Sequence, residues 1–200
     1  MAAEFPGLRL AVGTLSILRV RVEAADRRTA GRAMALAPLV GVGIGVAAAA
    51  VGWAARAYTD SVFVAAVAAV AAGAVLTRAL HLDGLADVAD GLGSAKRPAQ
   101  ALEIMKRSDI GPFGVATLIL VLALQIACVM AAYGQHRGGL AIIVAAVAGR
   151  LAVTLACTPG VPSARPDGLG AWVAGSVRTR TAAGVAVLCL AGGADRKSTV

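Results

Sequence analysis

Between Arg32 and Arg56 the chain runs for 23 residues, Ala33 to Ala55, without a charge. At about 1.5 Å of rise per residue, a helix of that length crosses a hydrocarbon layer of roughly 30 Å. The feature recurs. Ile110 to Gln135 is a run of 26 uncharged residues with LILVLAL at its centre. Ser61 to Thr77 is another, extending through Arg78 to Leu80 because an arginine at the end of a span can snorkel to the interface. Gly139 to Cys157 is apolar apart from Arg150. Such runs exclude an ordinary soluble globule, and the composition agrees: 58% of the 200 residues are hydrophobic and 15% charged, against about 25% charged in soluble domains.

The sequence therefore predicts an all-α, polytopic membrane bundle in one domain, residues 1–194. Its spans fall at about 33–56, 61–80, 110–133 and 139–157. A short fifth apolar segment, 181–194, is too brief to cross upright. An interfacial segment is expected at 7–22 and a polar tail at 195–200. Few aromatics and 24 glycines suit helices that approach closely through small residues. Gly41, Gly43 and Gly45 match no nucleotide-binding loop and read as helix-packing positions inside a span.

A net charge of +8 raises nucleic acid as a partner, but the basic residues lie in the gaps between apolar runs, with no dense block interleaved with aromatics. They report topology instead. With the N-terminus inside, Arg9, Arg19, Arg21, Arg27, Arg28 and Arg32 precede the first span. Arg78, Lys96, Arg97, Lys106 and Arg107 flank the loop after the second, and Arg165, Arg178 and Arg180 follow the fourth. Lys and Arg accumulate on the cytoplasmic side, so the loop between the second and third spans is expected to be cytoplasmic. Cys128, Cys157 and Cys189 lack metal or disulfide spacing and read as small apolar residues. Glu4 and the interrupted run Leu8–Leu18 do not suit a cleaved signal peptide.

That loop is acidic although the chain is basic. Five of the 11 acidic residues, Asp83, Asp87, Asp90, Glu103 and Asp109, fall between 83 and 109. In HLDGLADVADGLGS, Asp83, Asp87 and Asp90 follow i, i+4, i+7 spacing, which places them on one helix face. Like charges on one stripe repel, and a hard cation such as Mg²⁺ relieves this, because Mg²⁺ binds one or two carboxylates together with substrate phosphates. A solvated acidic turn ended by Gly84, Gly91 and Gly93 is the plainer alternative. Downstream, Lys106 and Arg107 could hold phosphate oxygens or simply flank a span, beside Ser108 and Asp109. Arg150 could snorkel or pair with the acidic site. His81 could be an acid–base group, a ligand or an interfacial histidine.

HLDGLADVADGLGS followed by LEIMKRSDIGPFGV resembles the signature of the cobalamin synthase family, adenosylcobinamide-GDP ribazoletransferase. PLVGVGIG, the AGR at 148–150 and ARPDGLG at 164–170 resemble family segments in the same order, so the likeness covers roughly residues 8–175. It implies a Mg²⁺-dependent, multi-pass enzyme of the bacterial cytoplasmic (inner) membrane with its active site facing the cytoplasm. That transferase joins adenosylcobinamide-GDP to α-ribazole, or its 5′-phosphate, and releases GMP. On this resemblance Asp83, Asp87 and Asp90 would hold the metal, and His81 or a carboxylate would take the proton. Lys106, Arg107, Ser108, Asp109 and Arg150 would bind substrate. The family continues with further apolar helix where this chain reads GGADRKSTV, so a C-terminally shortened form is expected.

Two other readings are distinguishable. A CDP-alcohol phosphatidyltransferase-like enzyme does related chemistry, but its D-G-x-x-A-R pattern has arginine where DGLAD has an acid. A cation-coupled transporter would place its acids near mid-span, whereas these lie at a span's end.

Overall fold

The computed structural model describes residues 5–21 and 26–194. Among them the chain forms helices joined by turns: α1 (Pro6–Leu15), α2 (Arg27–Ala35), α3 (Ala37–Thr59), α4 (Val62–Leu76), α5 (Leu80–Gly93), α6 (Pro98–Ile104), α7 (Pro112–Gly134), α8 (Gly138–Ala156), α9 (Leu169–Val173) and α10 (Thr179–Ala194). The 195–200 tail and the end of the 7–22 segment lie outside the described residues.

Three helices, α3, α7 and α8, are long and apolar enough to cross a membrane. Many of their large side chains point outward: Ile119, Leu120 and Leu124 of α7 are all well exposed. Thr154, Asp90 and Arg150 are buried instead. Apolar groups outside and polar groups inside is the pattern of a protein whose solvent is lipid. α10 stays short, as its apolar run predicts.

The expected span at 61–80 is not one straight helix. α4 stops at Leu76 and the chain turns through 88° into α5. The stop is a Schellman motif: the Arg78 amide donates to the Val75 carbonyl at 3.0 Å and the Ala79 amide to the Ala74 carbonyl at 2.8 Å. Thr77 adds its hydroxyl to the Gly73 carbonyl at 3.0 Å. The motif takes Arg78 and Ala79 into the left-handed region, with φ of 53° and 54°. Hydropathy averages over this break, because Thr77–Leu80 adds only one charge.

The chain divides into two compact units, Met1–Ala47 with Leu140–Val200, and Ala48–Gly139. In the first, α1 and α9 pack on α2. The start of α3 meets α8 where a Cβ on Gly41 would stand 2.8 Å from the Ala146 carbonyl oxygen, and one on Gly45 2.7 Å from Ile143 Cα. These two glycines are four apart and permit backbone-to-backbone approach, while Gly43 faces open space. Thr154 Oγ1 donates to the Met34 carbonyl at 2.7 Å, fixing α8 on α2. In the second unit, α7 packs against both α4 and α5, and α6 covers α5.

Candidate active site

α5 carries the acidic stripe. Its first turn holds Asp83, where the exposed amides of a helix N-terminus favour a carboxylate. Asp83 is exposed, His81 and Asp87 are half-buried, and Asp90 is buried, 9% exposed. The stripe thus runs from solvent into the protein.

Its buried end is an anchor. The Asp90 carboxylate accepts from the Gly111 amide at 2.7 Å and the Gly114 amide at 2.8 Å. Gly111 is the N-cap of α7, Pro112 opens the helix and Gly114 lies one turn in. These amides have no partner within the helix, and Asp90 supplies one from another element as a capping side chain would. The fit excludes any Cβ: one on Gly114 would collide with Asp90 Oδ2 and stand 3.1 Å from the Ala86 carbonyl oxygen. A bridge between residues 21 and 24 positions apart gives no periodic signal. Nothing in the sequence marks either amide as the partner of Asp90.

This changes the proposed ligand set. Asp90 is not gathered with Asp83 and Asp87 into a three-carboxylate cage, and among the described residues no three His, Cys, Asp or Glu side chains converge as metal ligands. The reason is geometric, because i, i+4, i+7 spacing fixes a shared face but not convergence, and α7 competes for the last carboxylate.

The same bridge tethers the basic loop. On one side, Met105 packs on Gly91, where a Cβ would stand 2.8 Å from Met105 Cγ. On the other, Gly111 is held by Asp90. Lys106, Arg107, Ser108 and Asp109 therefore sit in a short segment pinned at both ends to adjacent residues of α5, and all four are exposed. Lys106 Nζ pairs with Glu103 Oε1 at 2.9 Å, an exposed pair that contributes about 0–1 kcal/mol and yields readily to a stronger anion. Arg150 belongs to the first unit, and the others to the second.

The arrangement is that of a multi-pass helical membrane protein with an acidic helix and a basic loop fastened side by side. Residues 7–195 match the cobalamin-5-phosphate synthase family, and the chain belongs to that family. It is 50% identical over 184 residues to an adenosylcobinamide-GDP ribazoletransferase of Frankia casuarinae, covering 88% of this chain and 66% of the relative. A protein of the same description from Nocardioides sp. is 41% identical over 170 residues, covering 84% and 73%. One from Bradyrhizobium diazoefficiens is 40% identical over 190 residues, covering 92% and 72%. The chain thus spans about two thirds of the length of these relatives. No solved structure matches it.

Proposed function

We propose that the chain is an adenosylcobinamide-GDP ribazoletransferase, joining adenosylcobinamide-GDP to α-ribazole or its 5′-phosphate with release of GMP. The observation that carries this reading is the pinned pairing of an acidic helix with a basic loop, in a chain whose relatives bear that name. A diphosphate substrate needs both: cations for its oxygens and carboxylates for a metal and a proton.

In the reaction a ribazole hydroxyl oxygen attacks the phosphorus on the cobinamide side of the diphosphate. The new P–O bond forms as the bridging P–O bond breaks, and GMP departs with the electron pair. His81, in the first turn of α5, accepts the hydroxyl proton. Arg107 and Lys106 hold the non-bridging oxygens, with Lys106 exchanging its Glu103 partner for phosphate.

The oxygen donors of α5 suit Mg²⁺, which takes one or two carboxylates and keeps its other positions for water and phosphate. Asp83 and Asp87, four residues apart, are the pair assigned to it, because Asp90 is buried and its carboxylate is held by two amides of the α7 N-terminus. When bound, the ion neutralises charge developing on the leaving phosphate.

The site is assigned to the cytoplasmic face of a bacterial inner membrane on the distribution of basic residues. Membranes containing the chain, given adenosylcobinamide-GDP, α-ribazole and Mg²⁺, are expected to release GMP in step with cobamide formation. GMP release without cobamide would overturn the assignment, as would no turnover both here and in a form extended to its relatives' length.

A further inference from the structure

Exposed apolar side chains form one edge in the second unit. Val88 and Leu92 of α5 are 41% and 77% exposed, and Ile110 and Phe113 at the entry to α7 are 53% and 51% exposed. Phe113 packs on Gly93, the residue after Leu92, so the two helices share the edge. Asp90 is two residues from both Val88 and Leu92, a rotation of roughly 200° at 3.6 residues per turn. The apolar edge of α5 therefore points away from the carboxylate that α7 holds.

The edge runs on into a surface that faces lipid. Phe113, Leu120 and Leu124 follow i, i+7, i+11 spacing on one side of α7, and the last two are 70% and 64% exposed. Cations rim it: Lys96 and Arg97, both exposed, follow Leu92 by four and five residues, with no acid between Asp90 and Glu103. The direction of α5 admits two placements. α4 has 15 residues, a rise of roughly 22 Å against a core of roughly 30 Å, so α5, turned through 88°, either completes the crossing or lies along the boundary. Carboxylates in hydrocarbon are costly. α5 carries Asp83, Asp87 and Asp90 together with an exposed apolar edge, which is the pattern of a helix lying in the interface.

We infer that α5 is an interfacial helix docked on an anionic lipid surface. Val88, Leu92, Ile110 and Phe113 bed into the boundary between headgroups and acyl chains, and Lys96 and Arg97 hold lipid phosphates. Asp83, nine residues or roughly two and a half turns before Leu92, is left facing water. This surface is separate from the reaction proposed above, in which neither the apolar edge nor Lys96 and Arg97 has a role.

The test uses the whole chain in vesicles of phosphatidylcholine and phosphatidylglycerol, with Cys128, Cys157 and Cys189 replaced by alanine. Leu92→Cys and Asp83→Cys each carry a bimane label. Iodide quenches a label in water, and lipids with a nitroxide near the headgroup or near the chain end report its depth. The Leu92→Cys label is expected to be quenched at least about threefold more by the shallow nitroxide than by the deep one, and at least about threefold less by iodide than the Asp83→Cys label. Should Leu92→Cys not fold, Val88→Cys reports the same edge. Equal quenching of both labels by iodide would place the edge in water. Stronger quenching by the deep nitroxide would make α5 part of the crossing, and shielding from every quencher would mean that protein covers the edge; each of these overturns the inference. The cations are read separately, by thermal unfolding of the otherwise unaltered chain. Replacing phosphatidylcholine with phosphatidylglycerol is expected to raise the unfolding temperature by several degrees. In a Lys96→Gln, Arg97→Gln double variant that gain should fall by at least about half, and in Arg137→Gln, at the far end of α7, it should persist. No gain in the wild type, or an undiminished gain in the double variant, overturns the lipid contact.

Discussion

The carboxylate of Asp90 accepts the amide of Gly114, 24 residues later, at 2.8 Å, and so ties the end of the acidic helix to the start of a membrane span. A negative charge at a helix N-terminus satisfies amides that nothing else in the helix reaches and opposes the positive end of its dipole. The consequence reaches the site. The basic loop Lys106–Asp109 has no secondary structure of its own to hold it, and Asp90 fixes its far end.

Asp90→Asn therefore tests an anchor against a ligand. The amide side chain has one acceptor oxygen where the carboxylate has two, so one buried amide of α7 loses its partner. The expected loss is about 1–3 kcal/mol of stability, read as a lower unfolding temperature in detergent. Turnover should fall because the loop loosens, while the Mg²⁺ concentration giving half-maximal rate stays as in wild type. A large rise in that concentration with unchanged stability would make Asp90 a ligand.

Asp83→Asn should behave in the opposite way. Asp83 is exposed, so stability should change by no more than about 0.5 kcal/mol. Activity should fall at least about tenfold, with part of the loss recovered at high Mg²⁺. Retention of full activity at low Mg²⁺ would remove Asp83 from the site.

The apolar runs of α3, α7 and α8 were legible because burial in lipid leaves its mark on every residue of a span. The acidic stripe was legible because like charges at helical spacing are anomalous in a basic chain. Two things were not. The stop at Thr77–Ala79 depends on hydrogen bonds from a backbone that Arg and Ala disguise, since neither residue signals a left-handed turn as glycine would. The partners of Asp90 are main-chain amides, which are present at nearly every position and so distinguish none. What the sequence cannot reveal here is which carboxylate of an aligned set is turned inward, because neighbouring helices decide that.

At the start of α2, the Asp26 carboxylate accepts from the Thr29 amide at 2.7 Å, and the Thr29 hydroxyl and amide together hold its pKa below the ordinary aspartate value. A carboxyl with a lowered folded-state pKa contributes its stability above the unfolded pKa and loses it as pH falls through the folded one. The first-turn amides of α2 should therefore keep their hydrogen-exchange protection at neutral pH and lose it below about pH 4. In Asp26→Ala that protection should be low at neutral pH and nearly independent of pH over the same range. A wild-type profile that is equally flat would show that the cap does not hold α2.

The turn that aims α5 stores backbone strain at Ala79, whose φ of 54° and ψ of 13° cost an L-residue roughly 1–2 kcal/mol. Glycine adopts this conformation without that penalty, but it also gives the unfolded chain more freedom, which offsets part of the gain. Ala79→Gly is thus expected to stabilise the protein by about 0.5–1 kcal/mol while preserving activity, because the hydrogen bonds that set the turn use the backbone. Ala79→Val, whose branched Cβ tolerates this region least, should destabilise it and displace the acidic helix, lowering the unfolding temperature and turnover together. If the glycine variant unfolds earlier than wild type, the left-handed turn does not carry the strain assigned to it. If valine leaves turnover intact, the direction of α5 is set elsewhere, with the bridge from Asp90 to α7 the remaining constraint.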